Sequence, residues 1–563
     1  MTQPTEPPPP GAEMTGGMAI AQALIANGVE TVFGLPGAQL YPFFDALQQN
    51  RDRIRTIGAR HEQACGYMAF GHARSTGRPG VFAVVPGPGV LNAGAALATA
   101  LGCGAPVLCV TGQTPSAFIG RGRGHLHELP DQLAILRGLT KWAARIERPA
   151  DAPGVLDEAF RQMLSGRPGP VAVEMAWDVM AGSEFVAPLP AAAIAPAPPP
   201  DPRQIEAAAR ILVDARRPMI MTGSGAQHAA DSVLALAVEL GAPVAAFRGG
   251  RGVVAEDHPL GVSSYAAFLM WPEVDALLGI GTRLEMPYMR WSGMMRLIDR
   301  PAAPPLLVRL DVDPAEMDRL APHAPVVADA EAGCRALLAA VRRLRAREAR
   351  ATGWRPDPTP IAAARAEAAR ATARVQPQMA YLEAIRAALP RDGLLVEELC
   401  QVGFASYFGY PVHQPRTYVS CGYQGTLGFG FQTALGVKVA HPDRPVVAIT
   451  GDGGFLFGVQ ELATAAQYRI GVVTLLFNNG GFGNVLRDQQ IGFGGREIGA
   501  KLDNPDFMLL AKAFGVEGRR VDSPAALTPA LERALEADAP ALIEIVIPPG
   551  VEVSPWEFIH PTR

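Results

Sequence analysis

Short runs of consecutive apolar residues recur along this chain, separated by stretches whose apolar positions repeat with helical period. From Met14 to about Ala181 the alternation predicts helix Gly16–Asn27, strand Thr31–Phe33, helix Tyr41–Gln49 and a Glu62–Arg74 helix. Strand Gly80–Val85, helix Val90–Leu101, strand Ala105–Thr111 and strand Pro170–Glu174 follow. Strands that alternate with helices in this way form open α/β domains with mostly parallel sheets. The Pro/Ala run Phe185–Pro202 reads as a linker. A second α/β pattern occupies 203–343, with strands at Pro218–Thr222, Ala242–Phe247, Ala276–Ile280 and Pro305–Val312. The Arg- and Ala-rich stretch 344–378 reads as an exposed linker with helical pieces. A third α/β domain covers 379–550. The fold class is therefore α/β, with three consecutive open domains at 14–184, 203–343 and 379–550. A Pro-rich, disordered segment is expected at 1–13 and a short tail at 551–563.

One stretch, Val446–Asn484, carries more chemistry than the rest. Val446–Thr450 is a buried-strand pattern, broken by Gly451-Asp452-Gly453-Gly454. A helical pattern with Val459, Leu462, Ala463 and Ala466 on one face follows, and then a second strand, Val472–Phe477, ends in Asn478-Asn479-Gly480-Gly481. Ligands of such βαβ units sit outside the carboxyl ends of the strands. Asp452 and Asn479 offer a carboxylate and an amide oxygen, a hard donor pair that suits Mg2+ or Ca2+ rather than zinc; Mg2+ held by so few protein groups completes its shell with phosphate and water. Gly451, Gly453 and Gly454 let backbone N–H groups approach a phosphate at a helix N-terminus.

Composition narrows the partners. The 563 residues are 48% hydrophobic and 18% charged, with 50 basic and 54 acidic side chains and a net charge of −4. That balance gives no electrostatic case for nucleic acid or an anionic membrane. The six cysteines at 65, 103, 109, 334, 400 and 421 form no C-x-x-C pair and suit a reducing compartment. The N-terminal stretch lacks a signal-peptide pattern, and the apolar region Val90–Val110 is broken by glycines and Pro106. A cytoplasmic protein without membrane spans is expected.

GDG, about 25 residues, then NN resembles the cofactor signature of thiamine-diphosphate enzymes, and GDGGFLFGVQELATAAQYRI through FNNGGFGNV is similar to their acetolactate synthase branch. The resemblance implies thiamine diphosphate (ThDP) with Mg2+ held by Asp452, Asn479 and Gly481. His61-Glu62-Gln63 and its neighbours resemble the family's R-H-E-x-x-A/G-G motif. Glu62 would hydrogen-bond N1′ of the aminopyrimidine and promote loss of the C2 proton. The run Gly422–Gly430 resembles G-x-x-G-T-M/L-G-x-G, which places Gly425 and Leu427 against the pyrimidine. Gln401 and Val402 stand where synthases carry a G-Q-H run that binds the diphosphate. In the family, Glu62 of one chain serves the cofactor held by the last domain of its neighbour, so a homodimer is the minimal active unit and a homotetramer is expected.

The acceptor side departs from the synthases. Gln39 ends a loop that lines the pocket in the family, Gln113 follows a strand, and His127 stands where synthases have a reacting-centre Gln, with His125 beside it. Asn484 replaces a Met, Asp488 replaces a Trp that selects the acceptor, and Pro287 replaces an Arg that grips its carboxylate. Asn484, Gln113 and His127 together expect a polar substrate, since a buried polar group without a partner costs ~1–3 kcal/mol. Small keto acids, aldehydes or ketones are the expected substrates. The lone Gly223-Ser224-Gly225 is read as a tight turn, and FAD is left open but not predicted. Carboligation after decarboxylation of a 2-keto acid is the leading reading. Simple decarboxylation, diketone hydrolysis, a flavin-linked oxidase and a non-catalytic ThDP-binding regulator are the alternatives. The C-terminal Trp556 and Phe558 are read as packing on the domain surface.

Overall fold

The structure, a computed structural model, describes residues 11–291, 306–352 and 358–562. It contains three six-stranded sheets in which every strand pair is parallel. The chain forms two compact units. The first gathers the chain up to Pro196 together with Cys421–Pro442 and Gly458–Ile470; the second contains Ala197–Ser420, Asp443–Phe457 and Gly471–Arg563. Among the described residues no helix is long and apolar enough to cross a membrane.

The sheet of the first unit runs Arg55–Gly58, Thr31–Gly34, Gly80–Val84, Val107–Gln113, Val171–Ala176, Trp142–Ile146. Strands Gly80–Val84 and Val107–Gln113 are buried along their whole length, as expected of strands covered on both faces. Chain order reverses between Thr31–Gly34 and Gly80–Val84, the place where such sheets bind ligands. The loops that leave these two strands carry Gln39 and Gly87. The hydrophobic pattern did not mark the flanking strands Arg55–Gly58 and Trp142–Ile146, whose residues are only partly buried. The expected helix Val90–Leu101 is two helices, Pro88–Asn92 and Gly94–Cys103.

Both expected ends of this domain need correction. Residues 1–10 of the expected disordered segment lie outside the described residues, and Ala12–Thr15 is a strand paired antiparallel with Ser183–Val186. That second strand takes in the start of the expected 185–202 linker.

The helix Glu62–Thr76 starts on His61, whose Nδ1 accepts the Gln63 N–H at 3.1 Å, and ends on left-handed Gly77. It packs closely on helix Gly430–Ala440. A Cβ on Gly71 would lie 2.2 Å from the Thr433 carbonyl oxygen, and one on Gly436 would lie 1.9 Å from that of Met68. Gly430–Ala440 and Leu462–Tyr468 therefore belong with the first unit, although in sequence they lie inside the third sheet's segment.

In the second unit one sheet runs Gly261–Val262, Val244–Ala246, Pro218–Thr222, Ala276–Ile280, Leu306–Asp311, Ala324–Val327. The other runs Tyr418–Val419, Leu394–Val396, Val446–Gly451, Val472–Asn478, Ala541–Val546, Glu517–Val521. Pro305, the expected start of one strand, lies outside the described residues. The segment expected to be an exposed linker at 344–378 is largely helical, in Ala330–Thr352 and Thr359–Thr372, with 353–357 outside the described residues. Ile361, Ala364 and Ala368 bury one face of the second helix, which an Arg/Ala composition does not advertise. Gly223 and Gly225 serve backbone packing: a Cβ on either would come within 3.0 Å of Gly281.

Candidate functional site

In the first unit, Glu62 is the first residue of its helix and stays partly exposed. Its Oε2 accepts the Asn92 amide N–H at 3.0 Å, and a Cβ on Gly89 would come 3.6 Å from its Cγ. The turn before it is fixed by Glu461, whose carboxylate accepts the Arg60 N–H at 3.0 and 3.1 Å and the Thr464 hydroxyl at 2.6 Å. Burial outweighs these bonds and pushes Glu461 up to about 7. Sequence reasoning missed Glu461, because a Glu in a helical run gives no sign that it caps another helix.

Gln39 and His127 are brought together. His127 Nδ1 lies 2.8 Å from Gln39 Oε1, and Gln39 Nε2 donates to the Leu126 carbonyl at 2.7 Å. Both sit at positive φ, +67° and +66°, a sparsely populated backbone region for residues with a Cβ. With Gln39 Nε2 on a carbonyl, its Oε1 faces the ring, so Nδ1 carries the proton and Nε2 of neutral His127 is the acceptor. His125 lies apart from this pair and stacks on Phe118, with ring centroids 4.2 Å apart. Its N–H, with those of Gly122 and Gly124, holds Glu128 below the usual carboxylate range, the His125 bond contributing most. Gln113 joins an internal network: its Nε2 is 3.3 Å from Glu174, which also binds Arg145 at 2.7 Å and Gln132 at 2.8 Å. Gly425 takes φ +58°, and neighbouring Thr426 meets Thr99 at 3.2 Å, while Leu427 stays partly exposed.

In the second unit, Val446–Gly451 and Val472–Asn478 are adjacent and parallel, which puts Asp452 and Asn479 at the same sheet edge. Asp452 is buried, and its Oδ2 accepts N–H groups of Gly480 at 2.9 Å, Gly481 at 3.1 Å and Asn504 at 2.7 Å. Its Oδ1 accepts the Gly453 N–H at 2.9 Å. Asn479 Nδ2 donates to Glu552 at 2.7 Å. A Cβ on Gly483 would meet Asn479 Nδ2 at 2.8 Å and Gln401 Nε2 at 3.6 Å, so these two amides converge. Gly451 ends its strand, and Gly453 and Gly454 are buried in the short helix Asp452–Phe455. A Cβ on Gly453 would lie 2.4 Å from the Phe482 ring. Val402 is fully buried in the hydrophobic core, so its side chain offers nothing to a diphosphate. Asn504 and Glu552 were not legible in the sequence, since neither lies in a motif.

Burial raises both Asp452 and Glu552, and Asp452 adds repulsion at Glu552. Among the described residues, the hydrogen bonds to this carboxylate pair come from backbone and amide N–H groups and from no basic side chain. Asn504 Oδ1 is buried with no hydrogen-bond partner. An all-oxygen donor set with unbalanced negative charge fits a hard divalent cation.

The polar run after Gly481 is tied to the tail. Asn484 Nδ2 is 3.4 Å from Asp488, and its Oδ1 accepts the Trp556 indole N–H. Arg487 pairs with Asp488 at 2.8 Å and donates to Ser554. Trp556 and Phe558 are thus more than surface packing, since Trp556 reaches Asn484. Beside Pro287, Glu285 bonds Arg248 at 2.7 Å and also Arg290 at 2.9 Å. Burial would raise this carboxyl, but the two guanidinium groups overcome it and hold it at about 2.

Family models of the thiamine pyrophosphate enzymes match in chain order: the N-terminal TPP binding domain at 14–135, the central domain at 205–337 and the C-terminal TPP binding domain at 400–545. Fold, sheet edge and matched domains define a ThDP-dependent enzyme. Among curated relatives, a probable acetolactate synthase large subunit of Methanocaldococcus jannaschii is 34% identical over 558 residues, covering 95% of this chain and 92% of the relative. A probable 2-ketoarginine decarboxylase of Pseudomonas aeruginosa is 34% identical over 524 residues, covering 91% and 90%. Acetolactate synthase isozyme 1 large subunit of Escherichia coli is 30% identical over 557 residues, covering 96% and 95%. The chain belongs to the acetolactate synthase-like ThDP-dependent enzymes, of transferase and lyase type.

Proposed function

We propose that this enzyme decarboxylates a 2-keto acid and ligates the resulting activated aldehyde to a neutral carbonyl acceptor. The carrying observation is the pairing of Arg248 and Arg290 with Glu285 beside Pro287, which commits these two guanidinium groups, among the described residues, to a carboxylate of the chain itself. Bound ThDP would supply a carbanion at C2 and the electron sink for the cleaved carboxylate. Asp452, Asn479 and the main chain of Gly481 would hold Mg2+, with Gly451, Gly453, Gly454 and Gln401 against the diphosphate. Gly425 and Leu427 would hold the pyrimidine. Glu62, at the start of its helix and held by the Asn92 amide, would share a proton with the ring nitrogen N1′. His127, fixed in one tautomer by Gln39, would accept or return a proton at the substrate hydroxyl.

The active species would be a homodimer, with Glu62 of one protomer serving the cofactor held by the last domain of its neighbour, and a homotetramer is its expected assembly. Six cysteines that form no C-x-x-C pair support a reducing, cytoplasmic setting. The backbone packing at Gly223 and Gly225 supports reading Gly223-Ser224-Gly225 as a tight turn.

Purified protein with ThDP, Mg2+ and a panel of 2-keto acids, with and without an added aldehyde, tests this reading through CO2 release and product identification. Glu62→Gln should abolish CO2 release while keeping ThDP bound; normal turnover in that variant refutes the role of Glu62. A second reading is decarboxylation without ligation, which the 2-ketoarginine decarboxylase relative favours. It predicts the same free aldehyde product whether or not an acceptor is added.

A further inference from the structure

Glu552 follows the last strand of its sheet, Ala541–Val546, and belongs to no motif. Its backbone is nevertheless well held. The next residue, Val553, donates its N–H to the Gln376 carbonyl at 3.0 Å and accepts from Gln378 Nε2 at 2.7 Å. Gln378 is itself fully buried. Glu552 therefore presents its carboxylate from a fixed strap, where it takes the Asn479 amide N–H at 2.7 Å.

A primary amide can be turned over, exchanging its N–H2 and its oxygen, with little change of shape. An ionised carboxylate only accepts hydrogen bonds, so it admits the nitrogen end and rejects the oxygen end. We propose that Glu552 is a positioning residue of the metal site: it locks the Asn479 amide so that Oδ1 is the end left for the cation. The inference rests on the proposed roles of Asp452 and Asn479 as metal ligands.

The test is a Mg2+ titration of metal-free protein at fixed ThDP, read by quenching of tryptophan fluorescence. Partners that orient metal ligands typically affect metal affinity by about 10- to 100-fold. Half-saturating Mg2+ should therefore rise about 10- to 100-fold in Glu552→Ala. The rise should be smaller in Glu552→Gln, which still accepts the Asn479 N–H but no longer rejects the flipped amide. In an Asn479→Ala background the Glu552→Ala effect should largely vanish, because the two act through one bond. A general loss of packing would instead lower the melting temperature of the metal-free protein and persist in that background. Unchanged Mg2+ dependence in Glu552→Ala, or an undiminished effect without Asn479, overturns the proposal while leaving the ThDP reading intact. Absence of Mg2+-dependent ThDP binding in the wild type overturns both.

Discussion

Replacing Gly436 with alanine should damage both stability and turnover. Its Cβ would lie 1.9 Å from the Met68 carbonyl oxygen and 2.5 Å from the Met68 carbonyl carbon and Cα. These are backbone atoms of the Glu62–Thr76 helix, so no side-chain rotation relieves the contact. Real Cβ atoms essentially never approach closer than 3.0 Å, so the helices must part by about 1.1 Å there. Overpacking of this kind costs ~1–3 kcal/mol. The displaced helix also carries Glu62, the proposed partner of N1′, at its start, and misplacing a catalytic group by about 1 Å costs about 10²-fold in rate. Gly138→Ala is the matched control: it lies in helix Gln132–Leu139 with nothing within 4 Å of a new Cβ, and should gain up to ~1 kcal/mol of helix propensity. Urea unfolding of both variants, with turnover measured alongside, reads the two effects. If Gly436→Ala unfolds and turns over like the wild type, or Gly138→Ala loses as much, the close helix contact does not position Glu62.

Two further expectations concern buried charge. Glu461 titrates at about 7 in the folded protein against an ordinary value of 4.5, so the folded state keeps a proton that the unfolded chain releases. Its contribution is full below about pH 4.5 and is lost as pH rises through about 7, and stability should fall across that window. Glu461→Gln should flatten the fall in urea midpoints without abolishing it, because burial also raises Glu397 to about 7; an unchanged slope refutes the assignment. Arg251, 2% exposed, binds Glu256 at 2.8 and 2.9 Å and the Ser406 carbonyl at 2.7 Å, and stacks 4.6 Å from the Tyr418 ring centre. Arg251→Met should cost ~3–5 kcal/mol in urea unfolding, with part recovered by adding Glu256→Gln, because the single change strands the half-buried Glu256 carboxylate. Equal midpoints for wild type and Arg251→Met would show that this pair does not hold the unit together.

Where a run of apolar residues is buried on both faces, its ends could be read closely: Pro218–Thr222 and Ala276–Ile280 are strands with the expected bounds. Arg55–Gly58 escaped because its Arg and Thr leave the run short and polar. The placement of Asp452 beside Asn479 was legible because they end adjacent strands, so sequence spacing translates directly into a shared sheet edge. The supporting groups were not. Glu461 reaches Arg60 across about 400 positions, and Glu552 reaches Asn479 across 73. Such partners leave no periodic trace in either segment. The Gly436–Met68 contact left no trace for the same reason; the three consecutive α/β domains are there as expected, but two helices of the last segment cluster with the first unit.

The substrate question turns on polar groups that already have partners. Arg290 and Arg248 both bond Glu285 in surroundings where that carboxyl stays ionised down to about 2. A substrate carboxylate seeking Arg290 would compete with Glu285, and breaking a buried pair costs ~3–5 kcal/mol. Asn484 is likewise engaged by Asp488 and Trp556. A neutral carbonyl compound asks for neither rearrangement and leaves both networks as they stand. The loss of an Arg at Pro287 is therefore not repaired by the Arg three residues later, because Glu285 holds that Arg. This is a physical reason to seek the acceptor among aldehydes and ketones before a second keto acid.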